Sequence, residues 1–264
     1  MRESDLLDLA VDAARCAGRL IAATLAGGGS PVLQSSARDL KLAVDLQAEA
    51  IIRERLRRSG IAVLGEENGW AGEGESPELC WIVDGLDGTV NVHYGIPFAA
   101  VSIALSRLGQ PELGVVYDFH RDEMFSGRVG LGAFCNGVPV SVSNVASRRC
   151  GLLLSAIATK MDASPDRLAT FAAGLGQWKK IRMLGSAALS LAYVAAGRAD
   201  ACELASIMLW DVAAGVALVR AAGGSAGIAA GGEEHVVDVF AHNGQPGLAA
   251  VPQQNVGGFP DEIL

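Results

Sequence analysis

The chain has 264 residues, half of them hydrophobic and 19% charged, with a formal net charge of −8. That length suits one large domain or two closely packed lobes, and the apolar fraction supplies a core, which excludes wholesale disorder. The negative balance argues against a nucleic-acid footprint, which needs clustered lysine and arginine, but not against an anionic substrate, because a metal ion inverts the local sign of a site.

Residues 4–25 place Leu6, Leu7, Ala10, Val11, Ala14 and Ile21 at helical spacing, with Ser4 as the cap. Glu3, Asp5, Asp8 and Asp12 exclude a signal peptide, and no apolar run reaches the ~18 residues of a membrane span. The cysteines (Cys16, Cys80, Cys135, Cys150, Cys202) are scattered and form no C-x-x-C pair, so reduced thiols in a soluble cytoplasmic protein are expected. "LAGGGSP" (25–31) breaks the first helix. A second helix is expected over 45–58, with Leu46, Ala50, Ile51 and Leu56 as its apolar face and arginines in its last turn, where the helix dipole favours cations. Residues 61–69 read as a short buried strand entering a polar loop, and 71–78 as an acidic surface loop. The run Trp81-Ile82-Val83 reads as a buried strand that stops at Asp84. Apolar segments at 98–108, 113–119 and 123–129, separated by turn signals, predict an antiparallel meander. Helical spacing returns at 165–175 and 186–197, and again at 210–224, where a helix is expected to open at Asp211 and end at glycine. Helices first, strands next and alternation last predict a mixed α/β fold in layers rather than a doubly wound sheet.

Three acidic clusters fall at element ends: "GEEN" (65–68), "DGLDGT" (84–89) and "WD" (210–211). Each alone reads as a turn or a helix cap. Together they fit hard divalent cations, which take oxygen ligands from carboxylates, water and substrate phosphate. Gly88-Thr89 opens a short helix, where a glycine admits an anion to free backbone N–H groups and the threonine hydroxyl orients a water.

Gly-Glu-Glu at 65–67, Asp-x-x-Asp-Gly-Thr at 84–89 and Trp-Asp at 210–211, in that order, resemble the motifs of the inositol monophosphatase family of Mg²⁺-dependent phosphatases; "GVVY" (114–117) and "GAFCNG" (132–137) resemble the family's hairpin. The resemblance implies a layered α-β-α-β-α sandwich, a homodimer, two to three Mg²⁺ ions per site and no membrane or nucleic-acid partner. It implies an N-terminal lobe over 1–150 that carries the metal motifs and a C-terminal lobe over 151–264 that completes the site. By the same resemblance Glu66, Asp84 and the carbonyl of Leu86 hold the first ion, and Asp84, Asp87 and Asp211 the second. Gly88 and Thr89 cradle phosphate, and Asp45 pairs with Thr89 to orient the attacking water. Gly185, Ser186, Ala187 and Glu203 touch the substrate beside Asp87 and Asp211. The implied reaction is hydrolysis of inositol monophosphate or a related polyol or sugar phosphate. Fructose 1,6-bisphosphate, histidinol phosphate and 3′-phosphoadenosine 5′-phosphate remain open as substrates, as does an inactive binding or regulatory role.

Four features depart from the family pattern. Gly85 stands where proline is usual, and a glycine is expected to loosen the turn. Gln34 stands at a usual lysine. Glu203 lies one residue further from Asp211 than is usual, and the tail shows no closing helix. "GGSAG" (223–227) fits the spacing of a hydrolase nucleophile elbow, but a helix rather than a strand precedes it. Neither a dinucleotide-binding glycine pattern nor zinc spacing among the histidines is present.

Overall fold

The computed structural model describes residues 3–35, 40–71, 78–158, 160–162 and 164–249. The chain opens with helix α1 (Glu3–Ala26), the hairpin of β1 (Val32–Ser35) and β2 (Leu40–Leu42), and helix α2 (Ala43–Leu56). Strands β3 (Ala62–Gly65), β4 (Gly69–Ala71) and β5 (Leu79–Asp87) follow, then the short helix α3 (Thr89–His93). The meander comprises β6 (Ala100–Arg107), β7 (Gln110–Asp118), β8 (Glu123–Arg128), β9 (Gly132–Cys135) and β10 (Val138–Val140). The remainder alternates: β11 (Leu152–Ser155), α4 (Pro165–Leu175), β12 (Lys180–Arg182), α5 (Ala187–Ala195), β13 (Ala201–Met208), α6 (Leu209–Ala221), β14 (Ser225–Ala230) and β15 (Val236–His242).

Strands β3 to β10 form an eight-stranded sheet in the order β10-β9-β8-β7-β6-β5-β3-β4, and a five-stranded sheet runs β12-β11-β13-β15-β14. Period-two alternation sends neighbouring side chains of each strand to opposite faces. On β5, Trp81 and Val83 pack with Ala10, Ala14, Ile21, Ala48 and Ile52 of α1 and α2. Cys80 and Ile82 face the other way, toward Leu189, Val194, Val212 and Val216 of α5 and α6. The same two helices meet Cys202, Leu204, Val237 and Val239 of the second sheet. Leu153, Trp178 and Ala201 make a small cluster on that sheet's far side, with Leu175 of α4 against it. The layers are therefore helix, sheet, helix, sheet, helix.

Several expected boundaries move. Ser4 lies inside α1 rather than before it, since the helix already includes Glu3. The 71–78 loop falls almost wholly outside the described residues, as do residues 250–264 of the tail. Helix α2 buries Val44, Asp45, Ala48, Glu49, Ile52 and Leu56, whereas Leu46 is 39% exposed and Ala50 is exposed. The buried stripe is thus rotated from the expected one and carries two acids inward. Ser225 starts β14 directly after α6, so the helix that a nucleophile elbow requires is a strand here. None of the described helices is long and apolar enough to cross a membrane.

Candidate active site

Strand β5 does not stop at Asp84; it runs on through Asp87. In a regular strand, residues three apart point to opposite faces. Here Asp84 pairs with Ser102 and Asp87 with Ala100, so a span of three on β5 faces a span of two on β6. That one-residue bulge resets the alternation. Leu86 accordingly turns to the α1/α2 side with Trp81 and Val83, and Asp87 returns to the side of α5. Both aspartates are buried, at 2% and 8% exposure. The Leu86 amide donates to Asp84 Oδ1 at 2.8 Å, and the Leu86 carbonyl accepts from Thr89 Oγ1 at 3.0 Å. Gly88, at φ 96°, turns the strand into α3 in a left-handed conformation that suits glycine.

Ligand atoms of Glu66, Asp84 and Asp211 lie within 4.8 Å of one another. Glu66 arrives from the turn after β3, and Asp211 from the first turn of α6. The start of α6 is fixed on the sheet by Ser102 Oγ, which donates to the Trp210 carbonyl at 3.1 Å. Gly114 lets the helix lie flat on β7, because a Cβ there would meet the Ala214 carbonyl oxygen at 2.1 Å. Burial first, then the like charges of Glu66, Asp211 and Asp87, push the Asp84 carboxyl well above its ordinary range. Burial likewise pushes Asp87 up to about 6, against the donors at the start of α5. Crowded buried carboxylates of this kind repel one another unless a cation lies among them. The donor set is oxygen alone, which suits Mg²⁺ or another hard divalent ion. The residues present therefore fit such an ion.

Asp87 Oδ2 accepts from Ser186 Oγ at 2.5 Å and from the Ala188 amide at 2.7 Å. One oxygen of Asp87 thus serves the N-terminus of α5, where a helix dipole favours negative charge. Ser186, expected at the substrate, is the N-cap of that helix and accepts from the Leu189 amide. Gly185 precedes it at φ 81°, and a Cβ there would meet the Asn91 amide group at 2.8 Å. Asp45 is buried, and its Oδ2 accepts from the Leu42 amide at 2.8 Å. Its Oδ1 has no hydrogen-bond partner, and Thr89, whose hydroxyl is given to Leu86, is near enough to act on its charge. Burial lifts the Asp45 carboxyl to about 7.

Glu203 is not brought to this group. On β13, Cys202 and Leu204 face α5 and α6, whereas Ala201 faces the far side of the sheet. Alternation puts Glu203 with Ala201, and the charge acting on its carboxyl is that of Arg148.

Three supports were missed in the sequence. Asn91 Nδ2 donates at 2.7 Å to the carbonyls of Phe98 and Leu184, tying α3 to the segment before Ser186. Lys41, paired with Gln34 across the β1–β2 hairpin, reaches Glu67 Oε2 at 3.0 Å, so it supplies a cation near the site that Gln34 does not. Glu49, with no exposed surface, receives the backbone of the Glu66 turn. A glutamate four residues before Arg53 on a helix was the one legible sign of the last.

The profile of the inositol monophosphatase family matches residues 2–253. The chain belongs to the inositol monophosphatase family. It is 39% identical over 244 residues to an inositol-1-monophosphatase of Mesorhizobium japonicum, covering 89% of each chain. It is also 39% identical over 226 residues to a Nus factor SuhB of Pseudomonas aeruginosa, covering 83% of each. Among solved structures, an inositol monophosphatase from Anabaena (Nostoc) sp. PCC 7120 superposes with a TM-score of 0.79 at 34% identity, over 91% of both chains. Membership in the inositol monophosphatase family supports phosphatase activity and an ion-binding acidic cluster.

Proposed function

We propose that this chain is a Mg²⁺-dependent phosphomonoesterase acting on inositol monophosphate or a related polyol or sugar phosphate. The observation that carries the reading is the convergence of the buried Asp84 with the half-buried Glu66 and Asp211, their ligand atoms within 4.8 Å of one another. We assign Glu66, Asp84 and the Leu86 carbonyl to one ion, Asp84, Asp87 and Asp211 to a second, and a looser third ion beside Glu66. A divalent ion, when bound, supplies a Lewis acid that lowers the pKa of water and neutralises phosphate charge. The protein's part is to hold and to orient. Asp84 is fixed by the Leu86 amide, which donates to its Oδ1. Gly88 leaves room for the phosphate at the start of α3, and the Thr89 hydroxyl, poised between Leu86 and Asp45, orients the attacking water. Asp45, with an unpaired Oδ1 and a pKa near 7, accepts the proton that passes through Thr89. Ser186 holds Asp87 in place.

We place the site between an N-terminal lobe, 1–150, and a C-terminal lobe, 151–264, in a cytoplasmic homodimer. Release of inorganic phosphate from inositol 1-phosphate, fructose 1,6-bisphosphate, histidinol phosphate and 3′-phosphoadenosine 5′-phosphate tests the reading. The highest kcat/KM is expected on the inositol or a sugar ester. A clear preference for the nucleotide would overturn the substrate class but keep the chemistry. The relatives bearing the name Nus factor SuhB motivate a second reading, a binding role without turnover. Absence of phosphate release from all four esters would favour it.

A further inference from the structure

The Glu66 turn is held by an ion pair on α2 between buried Glu49 and half-buried Arg53. Glu49 is fully buried, and its carboxylate accepts from the Glu67 amide (2.7 Å), the Asn68 amide (3.2 Å), Asn68 Nδ2 (2.9 Å) and Arg53 Nε (2.7 Å). Arg53 also donates to the Gly69 carbonyl at 2.6 Å and, through its other terminal nitrogen, to that of Val63 at 3.5 Å. Helix α2 thus grips both ends of the turn that carries Glu66. Two glycines on adjacent strands make the berth. A Cβ at Gly65 would lie 2.6 Å from the Glu49 carboxylate, and one at Gly85 would lie 2.8 Å from the Glu49 amide nitrogen. Asp45 lies one helical turn before Glu49 on the same buried stripe.

A buried carboxylate is costly unless it is fully paired. Here every partner is either Arg53 or a donor on the turn itself. We infer that Glu49 is a positioning residue: it fixes Glu66 relative to Asp84 and Asp211, and so sets the affinity for the ion that Glu66 helps to hold. This rests on the proposed metal reading. Groups that orient a ligand without touching the metal typically cost 10–100-fold in affinity when removed.

The test uses the whole protein and Mg²⁺ itself. Calorimetric titration of Glu49→Gln is expected to show Mg²⁺ dissociation weakened by about 10–100-fold. Turnover at saturating Mg²⁺ should stay within about threefold of wild type, since Glu49 touches neither ion nor substrate. Hydrogen exchange at the Glu67 and Asn68 amides should speed up in the ion-free protein. Asn68→Ala, which removes a single contact from an exposed residue, should weaken Mg²⁺ by about threefold, the scale of one net hydrogen bond. It keeps the test decisive if Glu49→Gln does not fold. Faster exchange with Mg²⁺ affinity unchanged would overturn the inference and leave the metal reading intact. Wild-type protein that binds no divalent ion would overturn both.

Discussion

Asp84 meets the charges of three other carboxylates, those of Glu66, Asp211 and Asp87, in a place closed to water. That arrangement destabilises the ion-free protein and is relieved by a bound cation. Asp84→Asn should therefore separate stability from function. Phosphate release should fall by ~100-fold or more, the scale for losing one well-aimed electrostatic group. The melting temperature of the ion-free variant should rise by about 2–4 °C, equivalent to about 1 kcal/mol in a chain of this size. A variant that loses turnover and stability together would mean that Asp84 is primarily a structural residue. Ser186 offers the opposite case. It caps α5 and donates to Asp87, so Ser186→Ala should cost about 1 kcal/mol in stability, read as a lower melting temperature. It should also weaken Mg²⁺ binding, because Asp87 loses the contact that orients it.

At the level of elements, Gly85 changes meaning. In the sequence it reads as a loosened turn. In the fold it lies inside β5 against α2, with room for no side chain: a Cβ would meet the Glu49 amide at 2.8 Å and the Asp45 carbonyl at 3.0 Å. Gly85→Ala would gain stability if the site were merely flexible, by about 0.4–1 kcal/mol. Close packing predicts a loss of about 1–3 kcal/mol, which thermal melting reads directly. The same elements show why part of the site was illegible. The spacing of Asp84 and Asp87 is visible in the sequence, but their shared face depends on a bulge that pairing with β6 decides, and Gly85 inside β5 is its one local sign. The face of α2 was misread because its buried stripe mixes Val44, Ala48 and Ile52 with Asp45 and Glu49. An apolar count alone steers toward Leu46 and Ala50 instead. Glu203 shows the reverse: its shifted spacing was visible, and strand alternation translates that shift into the opposite face of β13.

Across the molecule, the layers followed from patterning that needs no partner to read: helical spacing at 165–175, turn-punctuated strands in the meander, and alternation near the end. A pH dependence follows from the site as a whole. Asp45 and Asp87 titrate in the folded chain near 7 and 6, against about 3.9 when unfolded. Between these values the folded state holds more protons than the unfolded one, so the free energy of unfolding falls as pH rises. In EDTA the melting temperature should therefore be higher at pH 5 than at pH 8, with most of the change between about pH 4 and 7. Mg²⁺ at about 100 times its dissociation constant should restore roughly 5–10 °C at pH 8 and less at pH 5, where protons compete for the same oxygens. A melting temperature that rises with pH in EDTA would contradict these assignments.

Release of inorganic phosphate from inositol 1-phosphate, first in EDTA and then as Mg²⁺ is titrated back, bears most directly on the whole reading. No release in EDTA and full, saturable recovery with Mg²⁺ is the expected result. Release that persists undiminished in EDTA, or none at saturating Mg²⁺, would contradict it.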